Sequence, residues 1–233
     1  MGIADYQLFK QDNQIALCLG NTDYTKVLKE NGKPKYANIE QADQDCETMT
    51  AGLTSLGFTR IDKMLNPTHT QLKLYFSELA VEMQKNHING EKTLFFVYYS
   101  GHGKMDERCI VVLNEDKTFP LERKLRTLAI VESNYIIGLF DCCREKVRSQ
   151  AMRGESASSS SSGDEGEQDG ENYLFTFGCP PTEGVPSRST VSRSYLRHLR
   201  KNCHPETGQI ALPTGLTTYT GKDGKSESTI HVV

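Results

Sequence analysis

Short apolar runs, each stopped by glycine or by a cluster of polar residues, set the hydrophobic pattern of the chain. They are rich in β-branched, aromatic and aliphatic side chains, as is typical of strands buried on both faces of a parallel sheet. The pattern therefore predicts five buried strands, which span residues 14–20, 58–65, 94–99, 135–140 and 173–177.

Amphipathic stretches separate these runs. Between residues 39 and 56, apolar side chains recur every three or four positions, which indicates a helix with one apolar face, and Gly57 supplies its end. Similar spacing predicts further helices, which span residues 67–89, 120–131 and 190–201. Strands that alternate with helices predict an α/β protein whose parallel sheet is covered on both faces.

Two weaker β patterns complete the predicted elements. A small β excursion is predicted at residues 109–113 and 117–119. A terminal hairpin is predicted from residues 217–220 and 229–233, which flank a Gly-Lys-Asp-Gly turn sequence.

The composition changes abruptly over residues 149–171, which are dominated by serine, glycine and acidic residues. This segment has almost no apolar side chain, so burial cannot offset the entropy that would be lost on ordering it. We therefore predict a disordered insertion between two structured parts, residues 1–148 and residues 172–233.

Charge and cysteine content exclude several functional classes. A chain of 233 residues with a net charge of −3 is long enough for one large domain, and its charge is too small to favour nucleic acid or an anionic membrane as a partner. No run reaches the ~18 apolar residues of a membrane span, and we expect no signal peptide at the N-terminus. Seven cysteines, an odd number lying mostly inside apolar runs, favour a reducing compartment and predict a cytoplasmic protein.

No metal or cofactor site is predicted from the residue spacing. The chain has no C-x-x-C pair, and Cys203-His204 alone cannot make a zinc site. It also has no D-x-D-x-D-G loop of the kind that binds calcium, although the acidic linker is rich in carboxylates.

Candidate chemistry follows two of the predicted strands. His102 comes shortly after the run at 94–99, and Cys142 and Cys143 come directly after the run at 135–140. Open α/β sheets bind their ligands beyond the carboxyl ends of the strands, so we expect the His and Cys motifs to meet there. A Cys nucleophile needs a base to form its thiolate, and that base can later protonate a leaving amine.

Either cysteine could in principle be the nucleophile. Strand alternation places Asp141 and Cys143 on one face and Cys142 on the other, where Cys142 is interpreted as a buried apolar filler. A redox-active vicinal pair is the alternative, and it would be strained. Acyl transfer also requires N–H donors for an oxyanion, for which the backbone N–H groups of Gly103 and of the nucleophile are the candidates.

The sequences Tyr-Ser-Gly-His-Gly at 99–103 and Leu-Phe-Asp-Cys-Cys-Arg at 139–144 resemble the His and Cys motifs of the caspase superfamily, clan CD, peptidase family C14. The resemblance extends over about residues 14–201 and is nearest to the paracaspase and metacaspase branches. It implies a caspase-hemoglobinase fold, with a mainly parallel sheet of about six strands flanked by helices on both faces. It further implies an endopeptidase dyad in which Cys143 is the nucleophile and His102 its acid-base partner, and a link to programmed cell death.

The resemblance also implies the role of each chain segment. Residues 1–148 correspond to the caspase large subunit, residues 149–171 to the intersubunit linker and residues 172–233 to the small subunit of the same domain. A basic-specific enzyme could cleave this linker itself after Arg148 or Arg153. Family members often pair along an edge strand of the sheet, so a homodimer is expected.

The departures from caspases concern specificity. Caspases carry Gln two residues before the nucleophile and an Arg before the first helix, but this chain has Asp141 at the first place and no Arg within residues 36–44. Asp45 falls where paracaspases and metacaspases have an acidic S1 residue, which implies protein or peptide substrates cleaved after Arg or Lys. The alternative for Asp45 and its neighbour Asp43 is an acid in an early helical turn that is solvated or complements the helix dipole. Glu145 stands where caspases have Gly.

Two alternatives of other classes remain open from the sequence. One is a catalytically inactive caspase-like scaffold that binds partners, against which the presence of both His102 and Cys143 argues. The other is a redox regulator that uses Cys142 and Cys143, whose activity would survive His102→Ala.

Overall fold

The computed structural model describes residues 13–106, 108–142, 145–146, 173–177, 217–220 and 227–232. Its main sheet has seven strands in the spatial order β10-β11-β9-β7-β3-β1-β2. The strands are β1 (Asn13–Gly20), β2 (Arg60–Leu65), β3 (Thr93–Ser100), β7 (Asn134–Asp141), β9 (Tyr173–Phe177), β10 (Thr217–Thr220) and β11 (Glu227–Val232).

Five of these strands are parallel, as the sequence predicts. β2, β1, β3, β7 and β9 pair in parallel, whereas β11 runs antiparallel to both β9 and β10. The predicted antiparallel pairing of the two C-terminal strands is therefore confirmed, and because both strands join the main sheet, it has seven strands rather than about six.

The central strand β3 is buried along its whole length and has two apolar faces. Phe95, Val97 and Tyr99 belong to the core cluster on one side of the sheet, and Leu94, Phe96 and Tyr98 to the cluster on the other. Consecutive side chains of a strand point to opposite faces, so a continuous apolar run is what a doubly covered strand requires.

Three helices in the described part of the chain cover these two faces. α1 (Gln41–Ser55) packs against the face that carries Tyr98, while α2 (His69–Ile88) and α3 (Leu121–Leu128) pack against the face that carries Tyr99. All three are slightly shorter than predicted. α2 begins after a capping box formed by Thr68 and Gln71, and Gly57 follows α1 with a φ of 90°.

A second, four-stranded sheet lies beyond the end of β3. It consists of β4 (Gly103–Asp106), β5 (Arg108–Val112), β6 (Thr118–Phe119) and β8 (Glu145–Lys146), in the order β6-β5-β4-β8. The predicted β excursion corresponds to β5 and β6. β4 and β8 were not predicted, because they are polar and form through pairing with each other and with β5 rather than through a hydrophobic pattern.

Several predicted features lie outside the described residues. These are the helix at 190–201, the insertion at 149–171, and the side chains of Cys143, Arg148 and Arg153. Among the described helices, none combines the length and the apolar composition that crossing a membrane would require.

Candidate active site

The register of β3 and β7 brings the His and Cys motifs to the same edge of the sheet. The two strands pair in parallel from Thr93↔Asn134 to Ser100↔Asp141, so they end side by side. His102 follows Ser100 by two positions, and Cys143 follows Asp141 by two positions in the sequence. The shared strand ends are therefore the place where open α/β sheets bind ligands.

The imidazole of His102 is held by three contacts from the loop between β1 and α1. Nε2 lies 2.8 Å from the carbonyl oxygen of Ala37. The ring of Tyr24 meets the imidazole edge-on at a centroid distance of 4.6 Å, and the ring of Tyr36 lies 4.9 Å away at a smaller interplanar angle of 33°. A carbonyl oxygen only accepts hydrogen bonds, so Nε2 carries the proton and Nδ1 carries the lone pair in the neutral ring.

The backbone of His102 is bonded at both of its polar groups. Its N–H donates to Tyr24 Oη at 2.8 Å, and its carbonyl oxygen accepts from Tyr99 Oη at 2.8 Å and from the N–H of Val112 at 2.9 Å. Tyr24 and Tyr99 are both fully buried. Burial raises the pKa of Tyr24 to about 12, and it raises that of Tyr99 well above the ordinary range, so both phenols keep their protons at neutral pH.

The backbone of Gly103 is oriented by the small sheet. Gly103 pairs with Val111, and the flanking bond runs from the N–H of Val112 to the carbonyl oxygen of His102. This pattern makes Gly103 and Val111 a non-hydrogen-bonded pair, in which the N–H of Gly103 points away from β5. It points towards the side on which β8, the strand just after the Cys motif, pairs with β4.

The two acids singled out by the sequence are both buried on the α1 side of the sheet, and Asp141 lies against the hydroxyl of Tyr98. Asp45, on α1, is 7% exposed and Asp141, at the end of β7, is 4% exposed. Tyr98 Oη lies 3.4 Å from Asp141 Oδ2. Burial, followed by the negative charges of Asp141 and Asp45, raises the pKa of Tyr98 well above its ordinary value.

The solvated interpretation fits Asp43 but not Asp45. The Asp43 side chain is 51% exposed and accepts a hydrogen bond from Lys63 Nζ at 2.8 Å. Asp45 is a buried residue of the same helix, and its Oδ1 accepts a hydrogen bond from Gln41 Nε2 at 3.4 Å. The structure thus separates two acids that the sequence alone could not distinguish.

Cys142 occupies the position predicted for a buried filler. Its side chain is fully buried in the core cluster on the α2 side of the sheet, and its Sγ lies 3.7 Å from Cys109 Sγ. The two sulfurs are thiols and do not form a disulfide. The predicted burial of Cys142 is confirmed, whereas the role of Cys143 stays a prediction, since Cys143 lies outside the described residues.

Sequence reasoning missed the support that the loop at 21–40 gives to His102. The loop follows no helix or strand pattern and is mostly polar, yet Tyr24 is fully buried and packs with Val27 and Val112 in a small core of its own. The available signal was the spacing of aromatic and apolar residues inside an otherwise polar stretch. Within the parts of the chain that the structure describes, no group of three or more His, Cys, Asp or Glu side chains could hold a metal ion.

Comparison with known proteins agrees with this geometry. The family model for the caspase domain matches residues 13–219. The crystal structure of caspase-1 from Spodoptera frugiperda aligns with a TM-score of 0.57 at 13% identity, covering 84% of this chain and 72% of that one. The structure of pro-sf-caspase-1 aligns with a TM-score of 0.56 at 12% identity, covering 88% and 78%. No curated protein matches the chain by sequence. The predicted fold class is confirmed, while the paracaspase or metacaspase branch stays a prediction.

Proposed function

The chain belongs to the caspase-domain family, and we propose that it is a cysteine endopeptidase that cleaves peptide bonds after Arg, and less well after Lys. Cys143 is the nucleophile and His102 the acid-base residue. Asp45 and Asp141 form the S1 pocket that receives the basic side chain. The observation that supports the specificity is the burial of both acids on the α1 side of the sheet, with Asp141 Oδ2 3.4 Å from the hydroxyl of Tyr98.

The proposed reaction uses both nitrogens of His102. Nε2 donates to the carbonyl of Ala37, so Nδ1 takes the proton of the Cys143 thiol. The thiolate attacks the scissile carbonyl, and the oxyanion accepts hydrogen bonds from the N–H groups of Gly103 and Cys143. When the intermediate collapses, Nδ1–H passes its proton to the leaving amine and a thioester remains. Water, deprotonated by His102, then hydrolyses the thioester and restores the thiol.

The proposed preference for Arg follows from charge and shape. Two carboxylates held in a buried site repel each other, and a cationic P1 side chain relieves that repulsion while it forms charge-assisted bonds. The planar guanidinium of Arg can engage carboxylate oxygens in bidentate fashion, whereas the ammonium of Lys is a compact point charge. A P1 Asp would add a third negative charge to the same pocket.

A set of peptides that differ only at P1 tests the proposal. We expect the wild-type protein to cleave the Arg peptide fastest, the Lys peptide more slowly and the Asp peptide hardly at all, and Cys143→Ala to cleave none of them. Efficient cleavage after Asp would move the protein towards caspases of Asp specificity. Absence of both turnover and labelling of Cys143 by an Arg-directed probe would favour the inactive scaffold instead.

We further propose that the enzyme cuts its own linker after Arg148 or Arg153. These two arginines stand near the start of the Ser-rich segment and match the proposed P1 preference. Mass spectrometry of aged wild type should show fragments that begin at residues 149 or 154, and Cys143→Ala should lack them. Identical fragments in both samples would rule out autolysis.

A homodimer through the C-terminal end of the main sheet is part of the proposal. β10 is the outermost strand at that end, next to β11, and an edge strand offers backbone groups to a second chain. Light scattering should show a dimer, at least with a substrate-like inhibitor bound. A monomer at every usable concentration, with and without the inhibitor, would contradict it.

A further inference from the structure

We propose that Tyr24 is a positioning residue for His102, and that its hydroxyl and ring together fix the direction in which the imidazole presents Nδ1. The inference rests on the proposed function, because it assigns Tyr24 a task in the Cys143–His102 dyad. Neither the strand pattern nor the His and Cys motifs point to this residue.

The hydroxyl of Tyr24 is the hydrogen-bond partner of the His102 backbone N–H, at 2.8 Å. The same hydroxyl lies 3.5 Å from the carbonyl oxygen of Val112, to which Asn21 Nδ2 donates at 2.8 Å. Tyr24 therefore links the residue before β4 to the end of β5. Because Tyr24 is fully buried, no bulk water replaces this acceptor when the hydroxyl is removed.

Gly101 is the residue that lets the two tyrosine hydroxyls approach His102. A Cβ atom at position 101 would lie 2.8 Å from Tyr24 Oη and would overlap Tyr99 Oη as well. The Gly-His-Gly sequence thus leaves room for two hydroxyls against the main chain immediately before His102. This close approach makes the hydroxyl of Tyr24 part of the turn that carries the imidazole.

The ring of Tyr24 acts on the side chain of His102 as well as on its backbone. It meets the imidazole edge-on at 4.6 Å, on a loop that also supplies Tyr36 and the Ala37 carbonyl. Asn38 Oδ1 accepts from the N–H of Tyr24 at 2.8 Å, which ties Tyr24 to the residue next to Ala37. One loop therefore holds both the backbone and the ring of His102, and the side chain of Tyr24 contacts both.

The test is Tyr24→Phe, which keeps the ring and removes the hydroxyl. We expect kcat on an Arg peptide to fall about tenfold while KM changes less than about twofold, since the S1 acids are untouched. Tyr75→Phe is the matched control. Tyr75 is also a buried tyrosine whose hydroxyl makes one polar contact, to Asp62 Oδ2 at 2.9 Å, but it lies on α2 away from His102. It should leave both kcat and KM unchanged.

The rate at which iodoacetamide alkylates Cys143, followed against pH by peptide mass spectrometry, separates positioning from general destabilisation. In wild type the nearby imidazole should shift the profile below that of an ordinary thiol, and His102→Ala should abolish the shift. Tyr24→Phe should move the midpoint about 0.5 pH units towards the His102→Ala profile. Tyr75→Phe should retain the wild-type profile.

The outcomes distinguish failure of the proposed Cys143–His102 dyad from failure of the proposed role of Tyr24. If His102→Ala leaves the alkylation profile of Cys143 unchanged, the dyad itself is wrong. If His102→Ala changes the profile but Tyr24→Phe matches wild type in both kcat and profile, the dyad stands and the role of Tyr24 is refuted. Should Tyr24→Phe not fold, Asn38→Ala removes the exposed partner of the Tyr24 N–H and should lower kcat in the same direction by a smaller factor, and no change would refute the inference.

Discussion

Tyr98 and Tyr99 are consecutive, fully buried residues of the same strand, yet they serve different ends of the proposed site. Tyr98 faces α1, the helix that carries the buried Asp45, and its hydroxyl lies 3.4 Å from Asp141 Oδ2. Tyr99 faces α2 and donates to the carbonyl oxygen of His102. Because consecutive strand residues point to opposite faces, Tyr98 lies on the side of the proposed substrate pocket and Tyr99 on the side that holds the proposed base, His102.

The two faces of a sheet that is covered on both sides can therefore serve different functions, here the proposed binding of the P1 side chain and the proposed support of His102. On the face towards α1, the carboxylate of Asp141 lies beside Tyr98, whereas on the face towards α2 the hydroxyl of Tyr99 and the amide of Asn21 donate to the carbonyl oxygen of Val112. The main chain of β3 and β7 lies between these two sets of side chains. Changes on one face should therefore alter specificity, and changes on the other should alter the chemical step.

Among the changes that compare the two faces, Asp141→Asn should have the largest effect on kcat/KM. Removing one partner of a buried charge pair costs roughly 2–5 kcal/mol, so kcat/KM for an Arg peptide should fall on the order of a hundredfold. Asp43→Asn is the matched control, because Asp43 lies on α1 close to Asp45 but is half exposed and bonds Lys63. Steady-state kinetics that show equal losses for the two variants would contradict the pocket.

A smaller and more selective effect should distinguish Tyr98→Phe from Tyr99→Phe. Loss of the Tyr98 hydroxyl removes a donor near Asp141, so we expect KM for Arg peptides to rise about fivefold while kcat stays the same. Loss of the Tyr99 hydroxyl removes a donor to the His102 carbonyl, so kcat should fall by a similar factor for Arg and Lys peptides alike. If both variants changed the same parameter, the two faces would not be functionally separate.

Gly101→Ala tests how closely the hydroxyls of Tyr24 and Tyr99 pack against the main chain before His102, and the free energy of unfolding reports the result. The new methyl group would overlap the hydroxyls of Tyr99 and Tyr24, at a cost of about 1–3 kcal/mol in the free energy of unfolding. Urea titration measures this cost. In a Tyr99→Phe background the same substitution should cost less, because one of the overlapping atoms is gone. Equal costs in both backgrounds would mean that the Tyr99 hydroxyl does not crowd Gly101.

The last effect arises only at alkaline pH and concerns Cys18, a buried thiol on the α1 side of the sheet. Burial raises the pKa of Cys18 from an ordinary value of 9.0 to about 11, so the folded state keeps this proton while the unfolded chain loses it. Stability from this group is complete below pH 9 and is lost between pH 9 and about pH 11, by up to about 1.4 kcal/mol per pH unit. Cys18→Ala should flatten the fall in urea midpoint over this range, and an unchanged slope would contradict it.

The sequence was sufficient for the features that a local pattern encodes. The apolar runs located β3 and β7 to within one residue at each end, and strand alternation correctly put Cys142 in the core. The sequence predicts that the two motifs meet at the carboxyl ends of parallel strands, but the register that brings Ser100 beside Asp141 depends on pairing between distant residues and is set only by the fold. Tyr24 and Tyr36 lie in a loop without helix or strand periodicity, so their apolar rings mark them for burial but do not show that they contact His102.

The burial of Asp45 is a second feature that a local sequence pattern cannot predict. Asp43 and Asp45 stand two residues apart in one helix, and their identity alone allows either to be solvated. Only the packing of α1 against Tyr98 decides that Asp45 is the inward one. β4 likewise forms because Gly103–Asp106 meets β5 and β8, although its sequence has no strand-like run.

Labelling with an Arg acyloxymethyl ketone tests the central claim most directly. The probe carries the proposed P1 residue and reacts only with an activated thiol, and peptide mapping locates it. We expect one label on Cys143 in wild type and in Cys142→Ala, none in Cys143→Ala, strongly reduced labelling in His102→Ala, and no labelling by the matching Asp probe. A label on Cys142, or an Asp probe that reacts faster than the Arg probe, would contradict it.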